Sequence, residues 1–163
     1  MTTSEDAPVG PLITTDAGAF QAVLPAGQRL IGIDPGSKTL GLALSDVGRS
    51  IASPLETIVR TKFSVDAARL LSHIREHKIA GLVIGLPINM DGSEGPRAQS
   101  ARALARNIAK LASLPTLMWD ERLSSAAAER VLLEADQSRK RRAEVIDKVA
   151  ATVILQSALD RMR

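Results

Sequence analysis

Apolar and polar positions alternate most cleanly from Thr39 to Ser45, where Leu40, Leu42 and Leu44 fall on one side and Thr39, Gly41 and Ala43 on the other. A period of two with one bulky and one small face predicts a strand. Just upstream, Leu30-Ile31-Gly32-Ile33 reads as a short strand ending at Asp34, and Pro35-Gly36 supplies turn chemistry, so the two segments predict an antiparallel hairpin. A third strand is expected from Leu55 to Val59. The period then lengthens. Ala67, Leu70, Leu71 and Ile74 share one stripe of a helix from about Val65 to His77, with Ser64 as its candidate cap. Leu82-Val83-Ile84, bounded by glycines and followed by another helical pattern, reads as a buried parallel strand. From Arg97 to Ala112 the apolar stripe is Ala101, Leu104, Ala105, Ile108 and Leu111, while Arg102, Arg106 and Lys110 line a second face that is solvated by default.

A fifth strand, Thr116 to Trp119, runs into Asp120-Glu121-Arg122, and helices are expected from about Ser125 to Glu134 and from Arg142 to Arg161. Three strands followed by alternating helix and strand predict an α/β fold, a five-stranded mixed sheet with helices on both faces. Such sheets place ligands at the carboxyl ends of their strands. Residues Met1 to Gln28 show neither period and carry Pro8, Gly10, Pro11, Gly18, Pro25 and Gly27, so they read as a flexible extension outside the core, with the domain at 29–163.

Composition narrows the class. At 163 residues, with 45% apolar and 24% charged residues, the chain fits one packed domain. No apolar run reaches the roughly 18 residues needed to cross a bilayer, and the first basic residue, Arg29, comes too late for a secretory signal, so no membrane partner and a cytoplasmic location are expected. With no cysteine, any metal must be held by oxygen or by the two histidines. A formal charge of +3 and the run Arg139, Lys140, Arg141, Arg142 suggest a basic surface for phosphates, against the plain alternative of a solvated charge run. Only Phe20, Phe63 and Trp119 are aromatic, too few for a base-stacking RNA-binding module.

The candidate chemistry is carboxylate chemistry. Asp34 ends the first strand, although Asp-Pro-Gly alone is also a common turn. Asp120 and Glu121 end the fifth. Neighbouring residues point to opposite faces, so one of the two can join Asp34; Glu121 is favoured by its reach, whereas Asp120 can serve as a cap. Asp147 is the sharpest anomaly, because its helical neighbours Ala150, Ala151 and Ile154 belong to an apolar face; the alternative is an interfacial Asp paired to Lys148 or an arginine. Three acids at one rim repel one another, a cost relieved by Mg2+ or Mn2+, hard cations that prefer oxygen ligands and suit phosphoryl chemistry. One metal or two remain open. His73 and His77 are spaced i, i+4 but lack the other residues of a zinc-protease motif, so they read as a solvated helix face.

Four segments carry a resemblance: Gly32-Ile33-Asp34-Pro35-Gly36-Ser37-Lys38-Thr39-Leu40-Gly41, Gly85-Leu86-Pro87-Ile88-Asn89-Met90-Asp91-Gly92, Asp120-Glu121-Arg122-Leu123-Ser124 and Asp147-Lys148-Val149-Ala150-Ala151. In this order they resemble the YqgF/RuvX family, over nearly everything from Arg29 to the C-terminus. The resemblance implies a ribonuclease H-like fold and a metal-dependent nuclease, described either as maturing the 5′ end of pre-16S rRNA, with the ribosome as a candidate setting, or as resolving Holliday junctions. It implies a metal site of Asp34, the pair Asp120 and Glu121, and Asp147. Asn89, Lys38 and Arg122 become candidate nucleic-acid contacts beside it, with Asn89 in a loop next to the active site. Junction resolution needs two paired cuts and hence a homodimer, whereas RNA trimming needs one. Two rivals stand against this reading. Asp-x-Gly followed by Thr and Gly is similar to the phosphate loop of sugar kinases and chaperone-type ATPases, but those clamp nucleotide between two domains and this chain has length for one. The other is a non-catalytic protein that binds nucleic acid or assembling ribosomes through its basic surfaces.

Overall fold

The computed structural model describes residues 10–124 and 139–163, the side chains of residues 139–148 excepted. A six-stranded sheet is built from β1 (Ile13–Thr14), β2 (Arg29–Pro35), β3 (Thr39–Ser45), β4 (Ala52–Val59), β5 (Ile79–Leu86) and β6 (Thr116–Asp120), in the order β1-β6-β5-β2-β3-β4. The predicted hairpin is present, with Asp34 opposite Gly41 and Ile33 opposite Leu42. The parallel half is made by β2, β5, β6 and β1. Helices α1 (Ala17–Ala22), α2 (Phe63–His77), α3 (Pro96–Ala112) and α4 (Arg139–Arg161) complete the fold, and no described helix is long and apolar enough to cross a membrane.

Strand alternation divides the core in two. Ile31, Ile33, Leu40 and Leu42 face Leu70 of α2 and Ala98, Ala101, Ala105 and Ile108 of α3. Leu30, Ala43, Val83 and Leu117 face Phe20 of α1 and Ala150, Ala151, Ile154, Leu155 and Ala158 of α4. The expected mixed sheet with helices on both faces is therefore observed, with one strand more than predicted. That strand is β1, which adds parallel to β6 through residues 13 and 14. Two residues cannot display an alternation, so the pattern gave no sign of it.

Within the segment 1–28, which reads as an extension outside the core, the described residues from 10 onward contribute to that core. Asp16 caps α1 by accepting from the Gly18 and Ala19 N–H groups, and Phe20 is fully buried. Its ring occupies the space over Gly81, where an added Cβ would come within 2.9–3.0 Å of it. Gly81 and Gly85 consequently lie inside β5 rather than bounding it. Ser64 does not cap α2: the capping position is Lys62, without a side-chain hydrogen bond, and Asp66 accepts from the Thr61 N–H and hydroxyl instead. The third strand starts earlier than its apolar residues suggest and includes Pro54, which an edge strand tolerates at a register shift. The helix expected from Ser125 to Glu134 lies outside the described residues.

Candidate active site

The two parallel strands at the centre of the sheet set the site. Ile33 of β2 pairs with Ile84 of β5, so Asp34 and Gly85, one residue further along, end neighbouring strands side by side. Asp34 is 2% exposed. Its direction follows from Gly32 two residues earlier, where a Cβ would meet Leu155 Cβ at 2.7 Å and the Ala151 carbonyl oxygen at 3.1 Å. Residues i and i+2 of a strand share a face, so Asp34 belongs to the face covered by α4.

Glu121 reaches the same face from the next strand. A Cβ on Gly85 would lie 2.8 Å from Ile154 Cδ1 and 2.9 Å from Glu121 Oε2, so the glutamate carboxylate rests on bare backbone beside the Asp34 strand. Gly85 is what makes room for it. Asp120 is placed differently. Its carboxylate accepts from the Arg122 N–H at 2.9 Å, capping the 3-10 turn Glu121–Leu123, and is held by the Arg122 guanidinium at 2.8–3.1 Å. The Arg122 side-chain bond, partly opposed by burial, draws the Asp120 carboxyl below its ordinary value of 3.8. A lowered folded value stabilises the fold above the unfolded pKa, and that stability is lost as pH falls through the folded one. Asp120→Asn keeps an oxygen to cap the turn but loses the charge paired to Arg122, so it should lower the melting temperature at neutral pH by the equivalent of at most about 1 kcal/mol, and the gap to the parent should close as pH drops below 4. A gap independent of pH would show that the charge is not what matters there.

Position 147 can be located, although its side chain lies outside the described residues. Helix α4 runs antiparallel to β2: Ala151 lies over Gly32, while Gln156 further along accepts from the Ala52 N–H near the opposite end of the sheet. One turn back from Ala151 is a rise of about 6 Å, close to the roughly 6.6 Å from Gly32 to Asp34 along the strand. Position 147 therefore falls on the stripe of Ala150, Ala151 and Ile154, level with the carboxyl end of β2. Among the described residues no group of three His, Asp or Glu side chains is gathered to hold a metal, and the third acid of the predicted cluster is this one.

The remaining candidates divide. Asn89 donates to Ser93 Oγ at 3.0 Å within its own loop, and Arg122 is committed to Asp120. Lys38 is exposed. The side chains of Arg139, Lys140, Arg141 and Arg142 lie outside the described residues. Of the stripe left to solvent, Arg102 pairs with Glu94 at 2.6 Å and Arg106 and Lys110 are exposed. The solvated helix face expected of His73 and His77 is corrected: His73 is buried with Nε2 2.6 Å from Glu56 of the neighbouring strand and stacks on His77 at 6.0 Å, because α2 turns this side toward β4. The sequence reading missed Gly85, whose role depends on a side chain from another strand, and Arg60 and Arg97. These arginines line a cleft of about 560 Å³ beside the Pro35–Ser37 turn, together with Ser37, Thr61 and Ser100.

The family described as "RuvX: Holliday junction resolvase" matches residues 28–161. A Rhodobacter capsulatus protein named "Putative pre-16S rRNA nuclease" is 62% identical over 143 residues, covering 88% of this chain and 90% of its own. A Roseobacter denitrificans protein of the same name is 58% identical over 154 residues, covering 93% and 94%. Among solved structures, Thermus thermophilus RuvC in complex with Holliday junction substrate matches with a TM-score of 0.52 over 83% of this chain and 96% of that one. At 16% identity that likeness supports the ribonuclease H-like fold alone.

Proposed function

Because the chain belongs to the RuvX family, we propose that it is a nuclease which hydrolyses phosphodiester bonds at the carboxyl ends of β2 and β6, in 5′-end processing of pre-16S rRNA. The observation that carries the reading is the Glu121 carboxylate seated on Gly85, beside Asp34 at the end of the adjacent strand. Two acids from separate strands are directed to one face of the sheet, under a helix that brings a third acidic position to their level. The names of the relatives supply the RNA substrate.

The residues fit a hard divalent cation. The donors are all carboxylate oxygens, and Asp34 is 2% exposed at a strand end whose neighbours Gly32 and Gly85 lie against Leu155 and Ile154 of α4. Asp34, Glu121 and Asp147 would hold Mg2+ or Mn2+, with Asp120 supporting the turn from which Glu121 projects. When bound, such an ion activates water and stabilises the departing oxygen of an in-line displacement. The protein's own work is orientation. The Asp34 backbone pairs with Gly41 of β3 and follows Ile33, which pairs with Ile84 of β5, and the Arg122 bond to Asp120 fixes the turn that aims Glu121 back over Gly85. Lys38, Asn89, Arg122 and the run Arg139, Lys140, Arg141, Arg142 would contact the substrate backbone, which positions a strand without reading its sequence.

The RuvX description favours a second reading, resolution of a four-way DNA junction by a homodimer. One comparison separates them: the purified chain is given 5′-extended 16S precursor RNA, a four-way DNA junction and generic single strands under identical Mg2+ and Mn2+ conditions. The expected result is metal-dependent cleavage of the precursor RNA with the junction left intact. Symmetric paired cuts in the junction, with the RNA untouched, would replace the first reading with the second. No cleavage of any of them would leave the non-catalytic binding protein.

A further inference from the structure

We propose that the cleft between the Pro35–Ser37 turn, the end of β4 and the start of α3 is a second, sequence-indifferent seat for a single strand's phosphodiester backbone, held by Arg60 and Arg97. The inference rests on the nuclease reading for the kind of polymer involved, but its support is separate. The cleft has a volume of about 560 Å³ and is lined by Pro35, Gly36, Ser37, Arg60, Thr61, Pro96, Arg97, Ser100, Ala101 and Leu104, with no acid among them. It begins at Pro35, one residue beyond Asp34, at the same end of the sheet but on the face covered by α3.

Neither cation of the cleft has a carboxylate partner among the described residues. Arg69, Arg102, Arg122 and Arg163 each pair with a carboxylate, whereas neither Arg60 nor Arg97 forms an ion pair among the described residues. Arg60 is half-buried and its guanidinium donates to the Gly36 carbonyl at 2.7 Å, a neutral acceptor that orients the group and leaves its charge uncompensated. Asp66, in the first turn of α2, directs its carboxylate to the Thr61 N–H and hydroxyl at 3.2–3.3 Å. Arg97 is exposed in the first turn of α3. Two cations, of which Arg60 is held in place, flanked by the Ser37, Thr61 and Ser100 hydroxyls are the donor set that phosphate and sugar oxygens take. No aromatic side chain lines the cleft, so bases have no platform to stack on and the contact carries no sequence preference.

The test is binding of short single strands of RNA and of DNA to the full-length chain in an Asp34→Asn background, which prevents consumption of the strand, across a range of salt. Arg97→Gln should weaken binding to both polymers and reduce the slope of log affinity against log salt by about 0.7, and Arg60→Gln with Arg97→Gln by about 1.4. Strands of different sequence should lose affinity alike. Arg75→Gln, an exposed arginine at the far end of α2, should leave the slope unchanged. Because Arg60 also braces the turn next to Asp34, Arg97→Gln decides. An unchanged slope and affinity in that variant, for both polymers, overturns the proposal, and so does an equal effect from Arg75→Gln. The two readings fail separately. Cleavage of RNA by the Arg97→Gln chain with the parent's salt dependence removes the cleft and keeps the nuclease; strand binding with the expected slopes in a parent that cuts nothing does the reverse.

Discussion

Replacing Asp34 with Asn should lower metal-dependent hydrolysis by more than about 100-fold, the upper end of what is lost when merely a supporting partner of a metal ligand is removed. The same substitution should leave the melting temperature of the metal-free protein equal to the parent's or above it. Asn preserves the volume of a residue that is 2% exposed, and it removes one negative charge from a rim where Glu121 and position 147 bring others. Loss of activity with retained or increased stability is the signature of a residue kept for chemistry. Turnover assays beside thermal unfolding check it. A stable variant with parental turnover would remove Asp34 from the mechanism, and a variant that loses activity by unfolding would make it a structural acid.

The second large effect is expected at Gly85, which has no ionisable group. In Gly85→Ala the new Cβ meets Glu121 Oε2 at 2.9 Å and Ile154 Cδ1 at 2.8 Å. Both contacts are closer than side chains permit, so something moves. Ile154 is fully buried in the α4 interface, whereas Glu121 is only partly buried. The overpacking should cost about 1–3 kcal/mol in denaturant unfolding. Displacement of the carboxylate should make the turnover of Gly85→Ala as low as that of Glu121→Gln, and combining the two should add little further loss because both remove the same contact. Full turnover in Gly85→Ala would mean that the seat over Gly85 is not where Glu121 acts.

Much of this arrangement was legible in the sequence because alternation is a local signal. Leu40, Leu42 and Leu44 announce β3, and Asp34 is placed at a strand end by the four residues before it. What was hidden depends on contacts between distant segments. Gly81 and Gly85 looked like strand boundaries, since glycine usually breaks a strand. In the fold each instead admits a side chain from elsewhere, Phe20 over one and Glu121 over the other. The two residues of β1 were too few to show a period, and Phe20 of α1 stood among prolines and glycines. Choosing Glu121 over Asp120 rested on side-chain length; that Asp120 caps its own turn and pairs with Arg122 depends on the geometry of the turn, which length does not reveal. Arg60 and Arg97 are far apart in sequence, and nothing in a linear reading indicates that both lack a carboxylate partner.

The central claim is that Asp34, Glu121 and Asp147 together hold a divalent cation. Calorimetric titration of Mn2+ into the full-length chain without substrate tests it most directly, with Asp34→Asn and Asp147→Asn measured alongside. The account predicts that the parent binds the ion and that each variant binds it at least about 10-fold more weakly while remaining folded, as expected when one oxygen ligand of a hard cation is lost. A parent that binds no Mn2+, or variants that bind it as tightly as the parent does, would contradict the account.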